Sequence, residues 1–183
     1  MTTCASCQTT LYIDTGHLRD AGSSGEMHDA PLLFQVGETV SFGAETYSVM
    51  GHARFSYGIG WWDEFFAVTD RGEEVWISVD EGDVIVQRPL SSGDAPDIKT
   101  LPKLGASFTI KETDYRVTEK DTATCIAFRG EFPEVLHLGS KYEFINCQGD
   151  DDTLLSGEFS TCDPDWYTGA WLDQYSLKIE TRS

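Results

Sequence analysis

GETVSFGAETYSV, residues 37–49, and GASFTIKETDYRV, residues 105–117, align without a gap at a constant offset. Gly37 matches Gly105, Val40 matches Phe108 and Phe42 matches Ile110. Tyr47 matches Tyr115, and Val49 matches Val117. Each stretch reads as a glycine turn, a short strand, a polar turn and a second short strand. The spacing predicts one β-hairpin unit used twice, so the two segments should be equivalent hairpins with equivalent pairing.

Short β segments surround each copy. After the first come WWDEFFAV, a strand by its aromatic content, then VWISV and VIVQRPL, separated by the turns TDRGEE and DEGD. After the second come ATCIAFRGE, KYEFINCQ, LLSGEFST and SLKIET. Strands at this spacing, with Asp and Gly in the turns, indicate small antiparallel barrels or sandwiches. SSGDAPDIKTLP reads as a linker, with two prolines and several small polar residues. Residues 1–30 are rich in Gly, Ser, Thr and Asp and read as irregular. The expected organisation is an irregular arm over 1–31, a first β half over 32–90, a linker over 91–103 and a second β half over 104–183. The fold class is all-β: two similar, small, barrel-like halves of the SH3-like roll type, packed together.

The chain has 183 residues, 31 Asp plus Glu against 13 Lys plus Arg, and a formal net charge of −18. Such a surface repels phosphate backbones and anionic lipids, so no nucleic-acid partner is expected. A basic protein, a polyamine or a metal cation would be steered toward it. The apolar runs are far shorter than the roughly 20 residues a membrane span needs, so no membrane insertion is expected. MTTCASCQTT lacks a basic stretch followed by an apolar one, so no secretory signal is expected there. Five cysteines, an odd number, fit reduced thiols and a cytoplasmic location better than a disulfide framework.

Two stretches could carry chemistry. Cys4 and Cys7 form a CxxC pair that could contribute half of a structural zinc site, which needs four ligands. The densest segment is GWWDEFFAV. On a strand, Trp62, Glu64, Phe66 and Val68 share one side, and Trp61, Asp63, Phe65 and Ala67 share the other. Each side thus carries one carboxylate among aromatics. One reading is an acidic-aromatic pocket for a cation, with Trp62, Asp63, Glu64 and Glu131 as ligand-binding residues. The plainer reading is an amphipathic strand, with Asp63 in water and Glu64 hydrogen-bonded to a backbone group. No GxSxG, HExxH or phosphate-cradling glycine loop is present. None of the four histidines has a partner in sequence that would give it a catalytic role, and no catalytic residue is assigned.

YSVMGHARF, WWDEFFAV, VWISV, YRVTE followed by RGEFP, YEFINCQ and DWYTGAWL together resemble the bacterial domain-of-unknown-function family 4178, over roughly residues 32–175. The positions that carry the resemblance are Gly51, Trp62, Asp63, Glu64, Trp76, Gly130, Glu131, Tyr142, Tyr167 and Gly169. That resemblance implies no activity that could be carried over. The expected function is a non-catalytic binding or scaffold module for a protein partner. The alternatives are a binder or enzyme for a small, polyamine-like cation, and a structural zinc protein.

Overall fold

In the computed structural model the described residues are 2–3, 10–14, 17–22, 25, 27, 30–150, 152–159 and 163–180. They form fourteen strands and one short 3-10 turn at Gln174–Ser176. Strands β1 (Thr2–Thr3), β2 (Thr10–Asp14) and β3 (His17–Gly22) make a separate three-stranded antiparallel sheet. Residues 1–31, expected to be irregular, therefore carry a small sheet. TLYID supplies the β-branched and aromatic residues that favour it.

The remaining strands are β4 (Thr39–Phe42), β5 (Glu45–Ser56), β6 (Trp61–Thr69), β7 (Glu74–Asp80), β8 (Asp83–Pro89), β9 (Ser107–Ile110), β10 (Thr113–Gly130), β11 (Lys141–Gln148), β12 (Thr153–Glu158), β13 (Asp165–Leu172) and β14 (Lys178–Glu180). Hydrogen bonding runs β5-β6-β7-β8-β13-β12-β11-β10, and β10 pairs back onto β5. That closes an eight-stranded antiparallel barrel. The expected all-β chain of two similar halves holds, and the halves meet as two four-stranded sectors of one barrel. The seams are β5–β10, from Gly51↔Gly130 to Ser56↔Thr124, and β8–β13, from Val84↔Leu172 to Pro89↔Tyr167.

The repeated hairpin is present in both copies. Thr39↔Ser48, Val40↔Tyr47 and Phe42↔Glu45 in the first match Ser107↔Arg116, Phe108↔Tyr115 and Ile110↔Thr113 in the second. The flanking backbone bonds match too. Gly37 N–H donates to Val49 O and Gly105 N–H to Val117 O, each at 2.9 Å. Gly37 and Gly105 both have positive φ, 93° and 82°, a conformation only glycine adopts without strain.

Alternation along the strands sends one face of the wall outward and one into the lumen. The outer face of the first half packs Val40, Tyr47, Val49, Phe65, Ala67 and Ile77 under Phe34 and Leu33. The outer face of the second half packs Tyr115, Val117, Ile145, Leu155 and Trp166. There the connecting segment lies against the barrel through Ala95, Ile98 and Leu101. Each half thus buries its hairpin on its own outer face, which leaves the lumen to the other face of every strand.

Candidate functional site

Eight strands enclose an interior just wide enough to fill with side chains or to hold one small ligand. In this barrel several inward positions are small: Ser78 on β7, Ala123 on β10 and Ser156 on β12. The lumen is accordingly a cavity of about 380 Å³. Its far end is stopped by the segment between β10 and β11. Phe132 and Leu136 are buried there among Trp76 and Phe128. Phe132 stacks on Trp76, with ring centroids 6.1 Å apart. Gly51 permits this plug, because a Cβ at that position would sit 2.8 Å from the Phe132 ring.

The lining is chemically one-sided. It includes eight aromatic residues: Phe55, Tyr57, Trp62, Trp76, Tyr142, Phe144, Tyr167 and Trp171. Among the described residues seven carboxylates line it, from Glu64, Asp80, Glu81, Asp83, Glu119, Glu134 and Glu158, and no Lys, Arg or His does. Glu64 stands inside the barrel. One of its oxygens accepts from Ser78 Oγ at 3.0 Å and the other from Trp62 Nε1 at 3.2 Å. Ser78 Oγ in turn accepts from Gln87 Nε2 at 3.1 Å. Gln87 is buried, and its Oε1 has no hydrogen-bond partner among the described residues. A buried acceptor without a donor is costly, so this oxygen marks a place where a ligand donor would be favoured.

The carboxyls of the lining are disturbed in one direction. Burial raises the Glu64 carboxyl above its ordinary range, and the bonds from Trp62 and Ser78 only partly offset that. Burial also raises Glu134 on the plug, with Asp165, Glu64 and Glu74 adding repulsion. At the other end, burial followed by repulsion from Glu81, Glu119 and Asp83 raises Asp80. Burial pushes the Tyr142 hydroxyl up to about 12, so it stays a neutral donor. Burial dominates at Glu64, and like-charge repulsion adds to the shift at Glu134 and Asp80, whose side chains reach solvent.

Trp62 and Glu64 line this cavity as the alternation required, and Asp63 and Glu131 do not. Asp63, expected in one reading to be in water, is buried on the outer face of the wall. Its Oδ1 accepts from His52 Nε2 at 2.6 Å and Arg54 Nε at 2.8 Å, and its Oδ2 accepts from Arg54 Nη2 at 3.0 Å. Cross-strand register brings them together, since Arg54 lies opposite Asp63 and His52 opposite Phe65. Arg129 Nη2 donates to His52 Nδ1 at 3.1 Å, which leaves Nε2 to carry the proton. His52 also stacks on Phe65, and Trp61 covers Arg54, with the guanidinium carbon 4.0 Å from the ring. Burial lowers the His52 pKa. For Asp63, burial pushes the carboxyl up, but the hydrogen bonds from His52 and Arg54 outweigh it. Asp63 therefore belongs to a sealed structural network. Glu131 is exposed at the start of the plug, where its N–H donates to Met50 O at 2.8 Å.

Cys4 and Cys7 lie outside the described residues, and among the described residues no group of three or more His, Cys, Asp or Glu side chains is placed to hold a metal ion. Cys125 and Cys147 are free and buried, and burial pushes both thiols up to about 12.

Sequence reasoning missed most of the wall. Glu134, Glu158, Asp80 and Glu119 come from a loop and three strands far apart in sequence. One signal was available: Ser78 in VWISV and Gln87 in VIVQ are polar residues on otherwise apolar strands, and both point into the lumen.

The family model described as Domain of unknown function (DUF4178) matches residues 35–174, and the chain belongs to that family. The match runs through all eight barrel strands. No match was found among curated proteins or among solved structures.

Proposed function

We propose that the protein binds a small organic cation inside its barrel. The observation that carries this reading is the lining itself: seven carboxylates and eight aromatic rings, with no basic side chain among the described residues. Carboxylates provide charge, and ring faces attract cations by about 0.5–2 kcal/mol each when water is displaced. A net charge of −18 would steer a cation toward the mouth. The same charge disfavours anions. This reading needs no chemical step.

The decisive comparison uses three six-carbon probes of nearly equal size: hexylammonium, hexanol and hexanoate, titrated calorimetrically into the full chain. Hexylammonium should bind at least about tenfold more tightly than hexanol, a difference of about 1.4 kcal/mol. Hexanoate should give no heat. Equal binding of the alcohol and the ammonium would show that the cavity reads only apolar bulk. Binding of hexanoate would overturn the reading outright.

A protein partner is a second reading, and a specific observation favours it. Trp171 lies at the mouth, 42% exposed, and Ile59 on the β5–β6 turn at that end of the barrel is 99% exposed. Exposed apolar residues at a cavity mouth suit a docking surface. Replacing Ile59, which does not line the lumen, with Ser should leave hexylammonium binding intact if the lumen works alone.

A further inference from the structure

The carboxylates of the lumen fall into two groups at different depths. The inner group is Glu64 and Glu158, with Glu134 exposed on the plug; all three help to raise the Tyr167 hydroxyl after burial. The outer group is Asp80, Glu81, Asp83 and Glu119, at the rim, the first three at the β7–β8 turn and Glu119 on β10. After burial, Glu81, Glu119 and Asp83 raise the Asp80 carboxyl further. The rest of the lining includes Trp62, Phe144, Ile85 and Leu154, and also Asn146 and Ser156, whose polar atoms bond each other and, from Asn146, Glu119. The inner end also holds Gln87 Oε1, the buried acceptor without a donor.

We infer that the lumen takes a linear α,ω-diammonium ion, one end held at Glu64 and Gln87 and the other at the Asp80, Asp83 and Glu119 rim, with its methylene chain along the aromatic wall. This rests on the organic-cation reading and narrows it in two ways. First, an unpartnered amide oxygen needs an N–H donor. A protonated amine has one, and a quaternary ammonium has none. Second, two acidic groups with aromatic and aliphatic side chains such as Trp62, Phe144 and Ile85 in the same lining match two charges separated by a hydrocarbon chain. Ser78, which is bonded to Glu64, is two residues from Asp80 along β7, and Gln87 is four residues from Asp83 along β8. At about 3.3 Å per residue these separations are roughly 7 and 13 Å. A hydrocarbon chain with bonds of about 1.5 Å advances roughly 1.3 Å per bond when extended, so about five to nine methylenes span the gap.

The test is a calorimetric series on the full chain with hexylamine, propanediamine, hexanediamine, octanediamine and decanediamine, all protonated at neutral pH. Hexanediamine or octanediamine should bind at least about tenfold more tightly than hexylamine, with propanediamine and decanediamine weaker than the best member. The rim variant D80N/D83N/E119Q should bring the best diamine down to the hexylamine affinity, a loss several times larger than the one it causes for hexylamine itself. These three side chains are exposed, so their substitution leaves the core intact; the thermal melt of the variant checks this. A diamine no better than hexylamine, an affinity without an optimum in length, or equal loss of both ligands in the rim variant would each overturn the inference. If hexylamine still outbinds hexanol in that case, the broader cation reading stands. If no amine outbinds hexanol, both fall.

Discussion

Replacing Glu64 with Gln separates a ligand-binding carboxylate from a structural one, because the two roles predict opposite signs. Glu64 accepts one hydrogen bond from Ser78 and one from Trp62. A Gln carbonyl can keep the Trp62 bond while its amide donates to Ser78, whose hydroxyl can rotate. The hydrogen-bond loss is then at most about 1 kcal/mol. Against it stands the removal of a carboxyl whose ionised form is disfavoured by burial. Each unit of upward pKa shift is about 1.36 kcal/mol of differential interaction between the two forms. The empty variant should therefore be as stable as the parent, or more so by about 1 kcal/mol, a rise of about 2–4 °C in melting temperature for a chain of this size. Ligand binding should move the other way. Two charges about 4 Å apart interact by roughly 4 kcal/mol at an effective dielectric of 20. Desolvation of the ammonium reduces this to about 2–3 kcal/mol, so hexylammonium should bind about 30–150 times more weakly. Differential scanning calorimetry and titration calorimetry on the same preparation read both signs. Retained affinity within about threefold, or a loss of stability above about 2 kcal/mol, would refute the reasoning.

Other expectations follow from the same geometry. A carboxyl raised in the folded state binds more protons there than in the unfolded chain, so its contribution is present in acid and lost as pH rises out of the ordinary carboxylate range. The stability advantage of E64Q over the parent should thus vanish near pH 4 and grow toward neutrality, as denaturant titrations at several pH values would show; an advantage that stays flat with pH would contradict the raised carboxyl. Ammonium binding favours the ionised form, so it should release protons and tighten with pH over that window, measurable by calorimetry in two buffers of different ionisation enthalpy. Asp63→Ala removes the carboxylate shared by buried His52 and Arg54 and should cost about 3–5 kcal/mol; a cost below 1 kcal/mol in urea denaturation would place that network at the surface. Gly51→Ala should drive a methyl into Phe132 and cost about 1–3 kcal/mol, and an unchanged denaturation midpoint would show that the plug moves freely.

Much of this architecture is local and was legible in the chain. The hairpins at 37–49 and 105–117 repeat because the glycine, apolar and tyrosine positions that specify turn and register repeat, and a two-residue period needs only near neighbours. The same alternation placed Trp62 and Glu64 on one side of β6 and Asp63 on the other. What lay opposite each side was not local. Closure depends on the β5–β10 and β8–β13 seams, which join residues from about 70 to 90 positions apart, and loop-closure entropy gives no sequence pattern by which to read them. Two similar halves could as well have packed as separate rolls. Only the closed ring made the side bearing Glu64 into a lumen and gathered Glu134, Glu158 and the rim around it. Only the cross-strand register turned Asp63 from a candidate ligand into the partner of His52 and Arg54, since a carboxylate's role is set by the charges that tertiary contact brings within a few ångströms.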